Sequence, residues 1–127
     1  MTADKIRGIV PFDMAGEGVV VHFKNSDLVQ LQTSAGAEWL THAIDHLNAA
    51  DMTFMLQLID LGLKVDGKPF RGNIDDIDRP VIEIYETLID GLFMATHGRT
   101  LKEHIEYVTE RAQELQDAED SPPAPAL

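Results

Sequence analysis

The chain has 127 residues, no cysteine and a formal net charge of −12 at pH 7. This length favours one domain, and the missing cysteines exclude disulfides, thiolate metal sites and thiol nucleophiles. The acidic balance argues against nucleic acid and anionic membrane surfaces, because both attract proteins through Lys and Arg. It fits good solubility and also a basic protein partner.

Neither a leader nor a membrane span is predicted. The first residues are not followed by the apolar region of a signal peptide. No apolar run approaches the ~18 residues that a membrane helix needs. We therefore expect a soluble intracellular protein.

Two short runs of β-forming residues open the chain and predict a hairpin over residues 6–24. The first run, Ile6–Met14, contains Pro11, which cannot donate a ladder hydrogen bond and so indicates an edge strand. The turn Ala15–Gly18 leads to the second run, Val19–Lys24, which is rich in β-branched residues. Alternation divides its side chains between two faces, with Val19, Val21 and Phe23 on one and Val20, His22 and Lys24 on the other.

Five helices are predicted after the hairpin, at about residues 26–35, 37–48, 52–63, 80–96 and 100–118. Their boundaries rest on capping and stop signals. The cluster Asn25–Asp27 and Asp51 are predicted N-caps, and Gly36 and Gly98 are predicted stops. Thr100–Glu103 has the pattern of a capping box.

The stretch from Val65 to Arg79 is predicted to be irregular, because turn dipeptides recur along it. Within it, the acidic run Asp75–Asp78 lacks the spacing and the bidentate Glu of a calcium loop. We interpret it as the start of the fourth helix, with Asp78 as the cap and Pro80 in the first turn.

Each of the first four helices has an apolar face that predicts a core. The residues expected to be buried are Leu28, Leu31 and Ala35, then Trp39, Leu40, Ala43, Ile44 and Leu47, then Phe54, Met55, Leu58, Ile59 and Leu63, and finally Val81, Ile84, Tyr85, Leu88, Ile89, Leu92 and Phe93. Met52, Met55 and Phe54 indicate core or, as the alternative, a soft partner surface. Gly91 costs the fourth helix about 1 kcal/mol relative to Ala unless close packing requires it.

The fifth helix carries a narrow apolar stripe in an otherwise Glu- and Gln-rich sequence. We call its residues the α5 stripe: Leu101, Ile105, Val108, Ala112 and Leu115. Steps of four and three residues are typical of a seam for one neighbouring helix, either internal or from a partner. The α5 stripe is therefore the candidate partner-binding site.

These elements predict an α+β fold, mostly helical, with an N-terminal hairpin followed by about five helices. Residues 1–118 are expected to form a single compact domain. The Pro-rich residues 119–127 are expected to be a flexible tail.

The chemically active residue types do not assemble into a catalytic or metal-binding motif. His42 and His46 share a helical face, but a zinc site needs at least one further ligand and no H-E-x-x-H pattern is present. A metal-dependent enzyme built on this pair is therefore a minor alternative to surface histidines. Asp60, Glu83, Glu86 and Asp90 could supply a carboxylate pair, although helix surfaces commonly carry such residues. We predict no catalytic residue, no cofactor site and no metal site.

The order of elements resembles the small tail-assembly chaperones of long-tailed phages and of the related gene transfer agents. The stretches that carry the resemblance are Val19–Phe23, Leu28–Leu31 with the following residues to Gly36, Trp39–Leu47, Leu56–Leu63 and the helix Val81–Phe93. The family typically has a strand pair, a leucine-rich helix ending in glycine, two short helices and a last helix. The fifth helix and the tail extend beyond the matching stretches.

The resemblance implies a non-enzymatic protein of virion morphogenesis, located in the cytoplasm of the bacterial host cell. Such chaperones coat the tape-measure protein and help to recruit tail-tube subunits, so these two proteins are the expected partners, with self-association as a further possibility. Two alternatives stay open, a small structural virion protein of the tail or neck and a generic helical adaptor.

Overall fold

A computed structural model describes residue 4 and residues 7–120, the side chains of residues 119 and 120 excepted. The predicted α+β class is confirmed: the chain is 65% helical, and an N-terminal antiparallel hairpin precedes five helices. Ile6, the start of the predicted hairpin, and residues 121–127 of the predicted tail lie outside the described residues.

The described residues contain one antiparallel sheet of four short strands in the order β1-β2-β3-β4. The strands are β1 (Ile9–Pro11), β2 (Val19–His22), β3 (Leu63–Val65) and β4 (Lys68–Pro69). As predicted, the strand with Pro11 lies at an edge. The prediction that residues 65–79 are irregular was wrong at its start, because β3 and β4 form a second hairpin there.

The turn of this second hairpin explains why it forms. Asp66 and Gly67 both have positive φ, at 51° and 79°. A two-residue turn with positive φ at both positions matches the twist of paired strands, and Asp-Gly is a preferred pair for it. β3 therefore follows directly after the third helix and pairs with β2 in the middle of the sheet.

The five helices are α1 (Asn25–Ala35), α2 (Trp39–Asn48), α3 (Met52–Gly62), α4 (Val81–His97) and α5 (Leu101–Asp120). The predicted stops are confirmed, since Gly36 and Gly98 follow α1 and α4 with φ of 94° and 70°. The Asp51 side chain accepts a hydrogen bond from the Phe54 N–H at 3.1 Å, as expected of the cap of α3.

Two predicted caps were wrong. The residue before α1 is Lys24, and Asp27 acts from inside the first turn by accepting the Lys24 N–H at 2.9 Å. α4 begins at Val81 with Pro80 as its N-cap, so Asp78 lies two residues too early to reach the first turn. Part of the acidic run instead forms a short 3-10 turn, Ile74–Asp76.

α4 lies at the centre of the molecule and contacts α2, α3, α5, β1 and β2. The inner sheet face carries Val19, Val21 and Phe23, which are buried as predicted. Most predicted helix residues belong to this core or pack against it. Ala35 and Met52 are exceptions, since both are exposed, whereas Phe54 and Met55 are buried.

Two glycines allow helices to approach the sheet. A Cβ on Gly62 would lie 2.5 Å from the Phe23 ring, and a Cβ on Gly91 would collide with the Val21 side chain. Both substitutions would require buried neighbours to move. Close packing against Val21 therefore explains why a glycine occupies position 91 of α4.

Candidate partner-binding surface

Most of the α5 stripe is exposed to solvent. Leu101 packs against the core, but Ile105, Val108 and Leu115 are 54%, 50% and 62% exposed. Ala112 is also exposed. The stripe is therefore core only at its first residue, and its remaining apolar side chains lie on an open helix face.

The first turn of α5 is fixed to the body of the protein. Asp90 Oδ1, on α4, accepts the Leu101 N–H at 3.1 Å. The predicted capping box is confirmed, because Glu103 Oε1 accepts the Thr100 N–H and Thr100 Oγ1 accepts the Glu103 N–H. Burial raises the pKa of the Asp90 carboxyl. These contacts orient α5 and leave its later turns projecting.

Charge is distributed unevenly around α5. At 100° per residue, all acidic residues up to position 118 lie within about 40° of the direction opposite to the stripe. They are Glu103, Glu106, Glu110, Glu114 and Asp117. The basic residues Lys102 and Arg111 lie beside the stripe. The apolar face thus has neutral and basic flanks, although the whole chain is acidic.

A groove between α4 and α5 extends the stripe onto the body. This α4–α5 groove has a volume of about 570 Å³ and is lined by Leu47, Glu86, Asp90, Leu101, Lys102, Ile105 and Glu106. Two residues of the stripe form one of its walls. A partner helix on the stripe would therefore also contact α2 and α4.

A second apolar groove was not predicted from the sequence. This α1–α3 groove has a volume of about 690 Å³, and its apolar lining residues are Val29, Leu56 and Leu61. Val29 and Leu56 are exposed. Both are apolar residues outside the predicted buried faces of their helices, which is the signal that could have identified the groove.

The two candidate histidines have carboxylate neighbours. His46 Nδ1 lies 2.9 Å from Asp51 Oδ2, and its ring stacks on Phe54 with 4.3 Å between centroids. The His42 ring nitrogens lie 3.6 and 3.8 Å from carboxylate oxygens of Asp45 and Glu38. Among the described residues, no three possible ligands are grouped as a metal ion would need.

Only two of the four candidate carboxylates, Glu86 and Asp90, share a surface. Asp60 lines the α1–α3 groove, and Glu83 lies 3.8 Å from Arg79. Glu86 and Asp90 both line the α4–α5 groove. Asp90 holds α5 by accepting the Leu101 N–H, and burial raises the pKa of its carboxyl although this hydrogen bond acts in the opposite direction.

Comparison with protein-family models, curated proteins and solved structures found no match for this chain. Within the described residues, no helix has the length and apolar character needed to cross a membrane.

Proposed function

We propose that this protein is a non-enzymatic tail-assembly chaperone that binds the tape-measure protein and helps to recruit tail-tube subunits in the cytoplasm of the host cell. The open α5 stripe is the observation that carries the proposal. Beyond its first turn, the apolar face of α5 is open among the residues that the structure describes, and such a face suits a helical client because amphipathic helices bind side by side through such faces. The identity of the client rests on the resemblance in element order.

The dimensions of the stripe support a helical client. From Leu101 to Leu115 the stripe runs about 21 Å at 1.5 Å per residue. This corresponds to about four turns of a partner helix. The Lys102 and Arg111 flanks favour a client helix whose own flanking residues are acidic or neutral.

Capture of the tape-measure protein is the direct test. The full chain is co-expressed with a tape-measure protein from the same genome, and the complex is recovered through a tag on the client. Ile105→Asp and Val108→Asp should each reduce recovery at least about tenfold, because a charge would be buried in an apolar contact. Both side chains are half-exposed, so urea unfolding of the free variants should match the original chain.

Gln113→Asp is the matched control, because it adds the same charge to α5 away from the stripe. It should leave recovery unchanged. The proposal fails if both stripe variants still capture the client. It also fails if both variants unfold the free protein, since the stripe would then be core.

The alternative of a structural virion protein makes a different prediction. A tail or neck component would be present in purified particles at a fixed ratio to the tube protein, whereas an assembly chaperone would be absent. Quantitative mass spectrometry of purified particles distinguishes the two. A generic helical adaptor would bind a helix through the stripe but would not select the tape-measure protein.

A further inference from the structure

A pocket of about 520 Å³ contains none of the α5 stripe residues in its lining. It forms where the start of β1, the end of β2, the start of α1 and the end of α4 meet. Its polar lining includes Arg7, His22, Lys24 and Asn25, and α4 contributes the uncharged Met94 and Ala95. Two cationic side chains, those of Arg7 and Lys24, thus line one pocket in a chain whose net charge is −12.

The backbone is shaped to form this pocket. Gly8 has φ of 72°, and a Cβ at this position would lie 3.1 Å from Ala95 Cα. Only a residue without a side chain allows β1 to approach α4 this closely in that conformation. Arg7, the residue before Gly8, lines the pocket.

Two acidic side chains near the pocket are already engaged, and the first, Asp4, accepts the Arg7 N–H on its Oδ1 at 3.1 Å. Asp27 Oδ2 accepts the Lys24 N–H at 2.9 Å and the ammonium of the buried Lys64 at 3.0 Å. Lys64 also donates to the carbonyl oxygens of His22 and Leu61. Asp27 and Lys64 therefore balance each other's charge.

One positive charge remains when Asp4 and Asp27 are set against Arg7, Lys24 and Lys64. Neither the Arg7 guanidinium nor the Lys24 ammonium forms an ion pair within the described residues. The local field in the pocket is therefore positive.

We propose that this pocket is a binding site for a small oxyanion group, a phosphate or a carboxylate, held by Arg7, Lys24 and His22. The guanidinium offers a planar pair of N–H donors, which matches two oxygens of either group. Lys24 supplies a second charge, and Asn25, the first residue of α1, places the positive end of that helix at the pocket. This site is independent of the α5 stripe and of the proposed client.

The electrostatics of His22 give a direct readout. Burial and the charges of Lys64, Arg7 and Lys24 lower its pKa, while Asp27 acts in the opposite direction. A bound oxyanion would compensate the cations and favour the imidazolium. The pKa of His22 should therefore rise when the site is filled.

The test uses the full chain, with inorganic phosphate and acetate as separate probes. The ring resonances of His22 are followed by NMR at constant ionic strength in chloride. Phosphate should shift them saturably and raise the pKa of His22. Arg7→Gln and Lys24→Gln should each weaken phosphate binding about tenfold, because each removes one charged donor.

Lys68→Gln is the matched control, since it removes one cation from β4 at the opposite edge of the sheet. It should leave phosphate binding unchanged. A response to phosphate alone supports a phosphate site, and an equal response to acetate supports a carboxylate site. The proposal is overturned if neither probe gives a saturable shift, or if the Arg7→Gln/Lys24→Gln double variant binds phosphate as before.

Discussion

Replacing Gly91 by Ala tests the close contact between α4 and the sheet. Two effects oppose each other. Ala is favoured over Gly inside a helix by about 1 kcal/mol. The new methyl group would collide with Val21, a side chain with no exposed surface. We expect the collision to outweigh the gain in helix propensity.

The magnitude follows from how little Val21 can move. Overpacking a core costs about 1–3 kcal/mol. The upper half of this range applies, because Val21 is β-branched with a restricted χ1 and lies in β2, between β1 and β3. After subtracting the gain in propensity, Gly91→Ala should lower the free energy of unfolding by about 1–2 kcal/mol. With a typical urea dependence, the midpoint of unfolding falls by about 1 M.

Urea unfolding followed by far-UV circular dichroism measures this change. The matched control compares Glu86→Ala with Glu86→Gly, at an exposed position of the same helix. There Ala should be the more stable by about 1 kcal/mol. The opposite order at position 91 would then be due to packing alone.

A double variant separates the contact from other causes. Val21→Ala alone creates a cavity and is destabilising by about 2 kcal/mol. In Gly91→Ala/Val21→Ala the new methyl group occupies part of that cavity, so the combined loss should be at least about 1 kcal/mol smaller than the sum. Strictly additive losses, or a Gly91→Ala variant more stable than the original chain, would refute the reasoning.

Two further predictions concern hydrogen bonds made by α4. Tyr85→Phe removes the hydrogen bond from the Tyr85 hydroxyl to the Asp51 carbonyl (3.0 Å) and should lower the free energy of unfolding in urea by about 1 kcal/mol. In the original chain, burial raises the pKa of Tyr85 to about 12. In an absorbance titration, the tyrosinate signal of Tyr85 should therefore appear only near that pH. Asp90→Asn keeps an oxygen for the Leu101 N–H and removes a partly buried charge, whereas Asp90→Ala loses the acceptor and should cost about 1 kcal/mol. Because the pKa of Asp90 is raised in the folded state, its ionisation destabilises the fold as pH rises from the unfolded value of 3.8 through the folded pKa. Over that range, the free energy of unfolding of Asp90→Asn should therefore increase relative to that of the original chain. A constant difference in this free energy between pH 3 and pH 8 would contradict the prediction.

The main features of the fold could be predicted because local signals and burial agree. In β2 the alternation of Val19, Val21 and Phe23 coincides with the inner face of the sheet. In α4 the apolar residues recur at helical spacing along a helix buried on several sides. The predicted stops held where glycine adopts positive φ, as at Gly98.

The second hairpin could not be predicted from strand patterns. β3 has three residues and β4 has two, so neither is long enough to show an alternation. The Asp66–Gly67 pair was interpreted as one turn among several. Its pairing with β2 depends on contacts distant in sequence, such as Val21 with Leu63.

The candidate surfaces were predictable to different degrees. The α5 stripe is a repeat within one helix, so the sequence contains its whole pattern. The α1–α3 groove depends on how two helices lie side by side, and the cationic pocket joins residues as distant as Arg7 and Ala95. No local spacing connects such positions.

The edges of the sheet determine how this protein can join others. On β1, the outward N–H and carbonyl of Ile9 are bonded to Asp4, and the next outward nitrogen belongs to Pro11. On β4, Phe70 donates inward to Leu63, so the nitrogen of Pro69 faces outward without a proton. An incoming strand would therefore find few donors at either border, and stacking of copies into a continuous sheet is disfavoured. Pro11 and Pro69 thus protect the two borders of the sheet from fibre-like growth.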